Sequence, residues 1–298
     1  MISKIPQSSH CRSGRAYLLW LYFLALLHLP LITALAASPQ QPHGIIARIA
    51  LVSDTHVNRS TNTDQQRYRA HLAKVIEQVN AAKVDFVVIA GDLTENGRPE
   101  EFTDFKEQIK GFEPRVFYVP GNHDLGNKVL QGKATELTAF RVSRYEMRMG
   151  RATFARHHSG VRILGVNSPV FGSGFSQEST LWRFLEKELA APSEHPTILF
   201  MHYPPFTRKP DEGGGDYWNI EPAPRQRLLG LLKKGGVKTV LTGHLHRDLI
   251  NRDDGILYVT TRPVSFGLPK GKQPEGWTLV TLRTEGEAQI ESHRISAE

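Results

Sequence analysis

Five short clusters in this 298-residue chain carry side chains able to bind metal ions or move protons: Asp54-Thr55-His56, Gly91-Asp92, Gly121-Asn122-His123-Asp124, His202 and Gly243-His244-Leu245-His246. They offer carboxylates, imidazoles and one amide oxygen. That mixture suits divalent transition-metal ions better than calcium or an all-thiolate zinc site. The single cysteine, Cys11, excludes a Cys-rich zinc finger, an iron–sulfur cluster and an internal disulfide framework. A carboxylate has two oxygens, so one Asp can bridge two ions. Two ions about 3.5–4 Å apart can activate a hydroxide for in-line attack on phosphorus. In an extended segment residues i and i+2 point the same way, so Asp54 and His56 are expected to face one pocket, as are His244 and His246. The glycines before Asp92, Asn122 and His244 permit tight turns and close backbone approach.

The elements that must position these groups are strands. Near-continuous apolar runs predict strands over 45–52, 85–90, 115–119, 161–166, 197–201 and 237–241. Each cluster follows the C-terminal end of one of them, where open α/β sheets bind their ligands. Five segments spread over some 190 residues can therefore converge on one point. Helical spacing of apolar residues predicts helices over 65–82, 99–109, 134–149, 178–189 and 224–234. Residues 203–224, rich in Pro and Gly, read as a long loop, and 256–295 has strand-like runs without a clear helix. Strand–helix alternation implies one α/β domain with a largely parallel sheet. No internal repeat breaks it.

The beginning of the chain reads differently. Lys4, Arg12 and Arg15 precede an apolar run over 16–37 that ends in Ala34-Leu35-Ala36. A basic start, an apolar middle and small residues at the end make a secretory signal peptide over 1–36, with an uncleaved anchor over 16–37 as the alternative. Residues 37–44 read as a linker and 45–298 as the catalytic domain. The expected localisation is periplasmic or secreted. Removing the leader takes the formal charge from +7 to +4 and leaves 262 residues without cysteine.

The order D-x-H, G-D, G-N-H-D, H, G-H-x-H over residues 54–246 resembles the calcineurin-like metallophosphoesterase superfamily. Ser53-Asp54-Thr55-His56 together with Gly91-Asp92-Leu93-Thr94-Glu95-Asn96-Gly97 looks most like its class III cyclic nucleotide phosphodiesterase branch. The resemblance implies a four-layer α/β/β/α sandwich with a dinuclear site at the strand ends. It implies that Asp54, His56 and His246 hold one ion, that Asn122, His202 and His244 hold the other, and that Asp92 bridges them. His123 would sit beside the phosphate and protonate the leaving oxygen. Asp124 would orient the loop rather than bind metal. The ligand types admit Mn²⁺, Zn²⁺ or iron. The implied reaction is hydrolysis of a small phosphodiester, with phosphomonoester hydrolysis and a non-catalytic metal-binding scaffold as alternatives. Glu95 stands where purple acid phosphatases carry tyrosine, and His123 where the lipid-A pyrophosphatase branch carries arginine. The 52 residues after His246 are too few for the capping or DNA-binding domain of the superfamily's nucleases, so no nucleic-acid-binding domain is expected.

Other features have plainer readings. Arg141, Arg144, Arg148 and Arg151 fall at helical spacing, as a solvated face or as a weak contact with an anionic envelope surface. Tyr203, Phe206, Tyr217 and Trp218 could grip a substrate or form the loop's own small core. Arg262 is a candidate for reaching phosphate. His157-His158 reads as a solvated loop, with a third metal site as the alternative. His43, His71, His195 and His293 match no motif.

Overall fold

Along the first strand Ala47, Ile49 and Leu51 join one buried apolar cluster while Ala50 and Val52 join another. Both faces are covered, which is why the sequence there is apolar without alternation. The computed structural model describes residues 44–295 apart from 131, 132, 134, 285 and 286. The expected leader, and the linker up to residue 43, lie outside the described residues. The chain runs β1 (Ile45–Val52), α1 (Thr63–Ala82), β2 (Phe86–Ala90), α2 (Pro99–Gln108), β3 (Arg115–Val119), α3 (Asn122–Leu125) and α4 (Ala139–Met149). It continues through β4 (Phe154–His158), β5 (Val161–Val166), α5 (Ser176–Glu188), β6 (Thr197–Met201), α6 (Pro222–Lys234) and β7 (Thr239–Thr242). It ends with β8 (Leu249–Asp253), β9 (Ile256–Thr260), β10 (Gly276–Arg283) and β11 (Gln289–Arg294).

The strands form two sheets, as the expected four-layer sandwich requires, and not the one largely parallel sheet that strand–helix alternation alone implies. Their orders are β11-β10-β1-β2-β3 and β4-β5-β6-β7-β9-β8. The strands that precede the site clusters lie in parallel runs, β1-β2-β3 in one sheet and β5-β6-β7 in the other, although β1 is antiparallel to β10 on its other side. Antiparallel pairs lie toward the edges, because hairpins return β4, β8 and β11. Between the sheets lie Ile49, Leu51, Phe86 and Val88 from one and Ile163, Ile198, Phe200 and Val259 from the other. The outward strand positions are covered by Leu72, Val75, Phe102 and Phe105 of α1 and α2, and by Leu181, Leu185, Leu228 and Leu232 of α5 and α6. This is the four-layer sandwich. Each such side chain contributes roughly 1.5–3 kcal/mol by leaving water.

Helix boundaries follow their caps. Asn62 accepts from the Asp64 amide and starts α1. Thr138 accepts from the Arg141 amide at 3.1 Å, so α4 begins at Ala139, later than the apolar spacing suggests. Strands β4 and β8 escaped the sequence reading because edge strands are only half covered, and FARHH and LINRD carry no sustained apolar run.

Candidate metal centre

The loops after β1, β2, β6 and β7 and the first turn of α3 meet across the carboxyl ends of both sheets. Asp54, His56, Asp92 and His246 form one buried group of potential ligands, and Asp92, His202 and His244 form a second. Asp92 belongs to both. Its Oδ2 lies 3.7 Å from His56 Nε2 and 3.2 Å from His202 Nε2. Asp54 Oδ1 lies 3.3 Å from His246 Nε2. His202 Nε2 lies 2.9 Å from Asn122 Oδ1 and 3.1 Å from His244 Nδ1. All seven sequence-predicted ligand residues are thus brought together. His123, the predicted acid, stands at the rim with its ring 4.5 Å from that of His56 and its side chain 34% exposed.

The backbone supports this at a cost. Asp54, His56, Asp92, His244 and His246 all have positive φ, between 46° and 71°. The expected i, i+2 convergence therefore comes from left-handed turns, not from extended segments. His244 and His246 point into different groups. Such conformations cost about 1–3 kcal/mol each and persist only where the surroundings over-determine them. Here the loops brace one another: Asp54 N donates to Gly91 O, His56 N to Asp92 O, Ser265 N to Asp54 O and Leu268 N to His246 O. A β-carbon on Gly121 would overlap the Asp92 carboxylate, and one on Gly243 would overlap Ser53 Oγ. Both glycines are required for close approach.

Hydrogen bonds fix which nitrogen of each ring faces inward. The Nδ1 of His56 meets Glu95 Oε2 at 2.8 Å, that of His202 meets Ala90 O at 2.8 Å, and that of His246 meets Phe266 O at 2.5 Å. Each leaves Nε2 for the cluster, the arrangement that orients metal-binding imidazoles. His244 is reversed, with Nε2 at Tyr217 O and Nδ1 inward. His123 Nδ1 is held by Glu95 O.

Charges reinforce the grouping. Burial pushes the Asp54 carboxyl up, but His246 outweighs it and the net shift is downward. Burial is likewise outweighed at Asp92, chiefly by His202, and its carboxyl stays well below the ordinary range. At His202 burial opposes protonation, yet Asp92 raises it to about 9. Burial and the charge of His202 hold His244 neutral, well below its ordinary value. Asp54 Oδ1 and His56 Nε2 are buried without a hydrogen-bond partner and lie at this cluster. A cation would satisfy both, so the donor set fits divalent metal ions.

Asp124 orients the loop, as expected. Its carboxylate accepts from the amides of Leu93, Thr94 and Gly121 and from Thr94 Oγ1. Burial and the nearby Asp92 charge raise it to about 6. Glu95 and Tyr217 were not recognised as partners of ligand residues. Glu95 holds His56, and Tyr217 accepts from Asn122 Nδ2 at 3.0 Å through its hydroxyl. His71 braces the carbonyls of Val264 and Ser265.

Other expectations are corrected. Arg262 does not reach the cluster; it is buried and forms a two-pronged pair with Asp248. His157 and His158 lie in β4, not a loop, and His158 packs on Phe86 and Phe117. The arginine stripe is broken, because Arg144 donates to Gly97 O and Arg151 lies past the end of α4. The loop aromatics divide by exposure: Tyr203, Tyr217 and Trp218 all pack on His244, but Tyr203, like Phe206, is buried, while Trp218 stays open to solvent. His43 lies outside the described residues.

Comparison with known proteins agrees with this geometry. A serine/threonine-protein phosphatase CPPED1 of Danio rerio is 32% identical over 214 residues, 67% of this chain and 65% of that protein. A probable glycerophosphodiester phosphodiesterase GpdQ of Arcobacter nitrofigilis is 31% identical over 207 residues, covering 67% and 71%. A probable cyclic nucleotide phosphodiesterase of Rhodococcus erythropolis is 27% identical over 207 residues, covering 65% and 63%. The crystal structure of a dimetal phosphatase from Danio rerio superposes with a TM-score of 0.54 at 13% identity, over 83% of this chain and 99% of that one. The sequence profile of the calcineurin-like phosphoesterases matches residues 47–248. The chain belongs to that family of metal-dependent hydrolases of phosphoric esters.

Proposed function

We propose that this chain is an exported phosphodiesterase that works with two divalent metal ions. The observation that carries the reading is the double group of ligands that shares Asp92. Asp54, His56 and His246 would hold one ion, Asn122, His202 and His244 the other, with Asp92 between them. When bound, the ions would supply Lewis-acid activation of water and neutralise charge on the phosphate. The chain's own residues do the rest. Glu95 fixes the His56 ring, and the carbonyls of Ala90 and Phe266 fix those of His202 and His246. His123 keeps Nε2 free at the rim while Nδ1 is tied to Glu95 O. Burial opposes protonation of that ring, but Asp92 raises its proton affinity above the ordinary value. That ring is suited to deliver a proton to the leaving oxygen.

Small diesters, including cyclic nucleotide-like ones, are the proposed substrates. The 31% identity to a glycerophosphodiester phosphodiesterase supports this. The relative named a protein phosphatase supports phosphomonoester hydrolysis as the second reading. Protein loaded with Mn²⁺ is assayed on bis(p-nitrophenyl) phosphate beside p-nitrophenyl phosphate, with bound metal counted. Faster diester turnover with two ions bound is expected. Faster monoester turnover selects the second reading, and no turnover of either with two ions bound sinks both. Export rests on the leader, and the mature protein is expected to begin at residue 37. An intact N-terminus in a cytosolic fraction would overturn that.

A further inference from the structure

Beside His244 the surface dips into a recess of about 370 Å³, lined by Thr207, Trp218, Leu245, Arg247, Leu268 and Pro269. Its walls are almost wholly apolar, and Trp218, 38% exposed, is one of few large apolar side chains left open to solvent among the described residues. Trp218 is shared with the metal centre, its ring 5.6 Å from that of His244. Leu245 stands between the two ligand histidines, and Leu268 N donates to His246 O. The recess is therefore fixed to the ligand-bearing loop, and its surface is mostly apolar, with Arg247 its one charged side chain. A cavity of about 150 Å³ already holds benzene, so this one has room for a ring or a short alkyl chain.

We propose that this recess binds the alcohol that stays on phosphorus during diester hydrolysis, and that it selects aryl or alkyl groups over small polar ones. The inference rests on the phosphodiesterase reading. It assigns the retained alcohol because the proton donor is elsewhere: His123 packs on His56, whereas Trp218 packs on His244. The leaving alcohol must face His123.

The test uses the metal-loaded protein and three diesters with the same p-nitrophenyl leaving group and a retained methyl, butyl or phenyl group. KM is expected to fall about tenfold from methyl to phenyl. Trp218→Leu and, at a second lining position, Leu268→Ser are expected to flatten that ranking. An unchanged ranking in both variants, or none in the wild type, overturns the inference. Phenylphosphonate and methylphosphonate, which are not hydrolysed, separate the two claims through tryptophan emission. The phenyl compound is expected to change the wild-type signal, and neither should change that of Trp218→Leu. Discrimination without turnover would retire the hydrolytic reading and leave the recess. Turnover without discrimination would do the reverse.

Discussion

Two buried polar knots in this protein are built on opposite principles. Around Arg225, which is fully buried, each guanidinium nitrogen finds a carbonyl: Nε meets Ile220 O, Nη1 meets Pro210 O and Glu212 O, and Nη2 meets Gly213 O. Glu212 in turn accepts from the amides of Thr207 and Arg208 and from Asn219 Nδ2, which leaves Asn219 Oδ1 without a hydrogen-bond partner. In the metal centre Asp54 Oδ1 and His56 Nε2 have no hydrogen-bond partner, like-charged groups crowd together, and five residues take left-handed backbone. A knot whose charged groups are all partnered holds a loop in place. An unsaturated one, braced from outside, is kept for something that is added.

The strongest way to break this comparison is to change the residue shared by both ligand groups. Asp92→Asn is expected to abolish hydrolysis and remove at least one bound ion, as read by metal analysis. Full metal content in that variant would mean that Asp92 does not bridge. Arg225→Met should act in the other currency. It strands several buried carbonyls, a loss of about 3 kcal/mol. That corresponds to a fall in Tm of about 6–12 °C for a domain of this size. Metal content per folded molecule should stay at the wild-type value. If the two variants behaved alike, the distinction between the knots would fail.

Glu95 sharpens the comparison, because its carboxylate is hydrogen-bonded to the ligand residue His56, while its backbone carbonyl, which holds His123, survives substitution. Glu95→Ala is expected to weaken metal affinity about 10–100-fold, measured by titration against a chelator. Glu95→Gln, which keeps an acceptor oxygen, should recover part of it. A purely structural role would lower Tm in both variants without this graded recovery.

How much of this was legible follows from what kind of signal each residue leaves. Strands β2 and β6 are buried along their whole length, and FVVIA and TILFM say so directly. The candidate ligands are legible because Asp, Asn and His stand in short clusters just past such runs. Edge strands β4 and β8 leave no run to find. Nor could the sequence display partners that meet the centre through tertiary hydrogen bonds. Glu95 is one of 30 acids, and the carbonyl of Phe266 that holds His246 is a backbone atom every residue possesses. Left-handed φ at Asp54 and His244 was invisible for a related reason: it is imposed by the neighbouring loops, against the preference of the residues themselves.

The shallowest expected effect is on the pH dependence of stability. In metal-free protein Asp92 keeps His202 protonated up to about 9, against burial, while an unfolded histidine titrates near 6.5. His123 and His246 are raised in the same direction, against burial, by Asp92 and Asp54 respectively. A raised folded value means that the stabilisation is complete below 6.5 and is lost as the pH climbs through the folded values. In chelator, Tm should therefore decline gradually between pH 6.5 and 9. Metal ions would neutralise Asp54 and Asp92 in place of those protons, so the decline should flatten in the metal-loaded protein. The same slope with and without metal would show that these histidines do not share their carboxylates with a cation, and the contrast with the Arg225 knot would lose its physical basis.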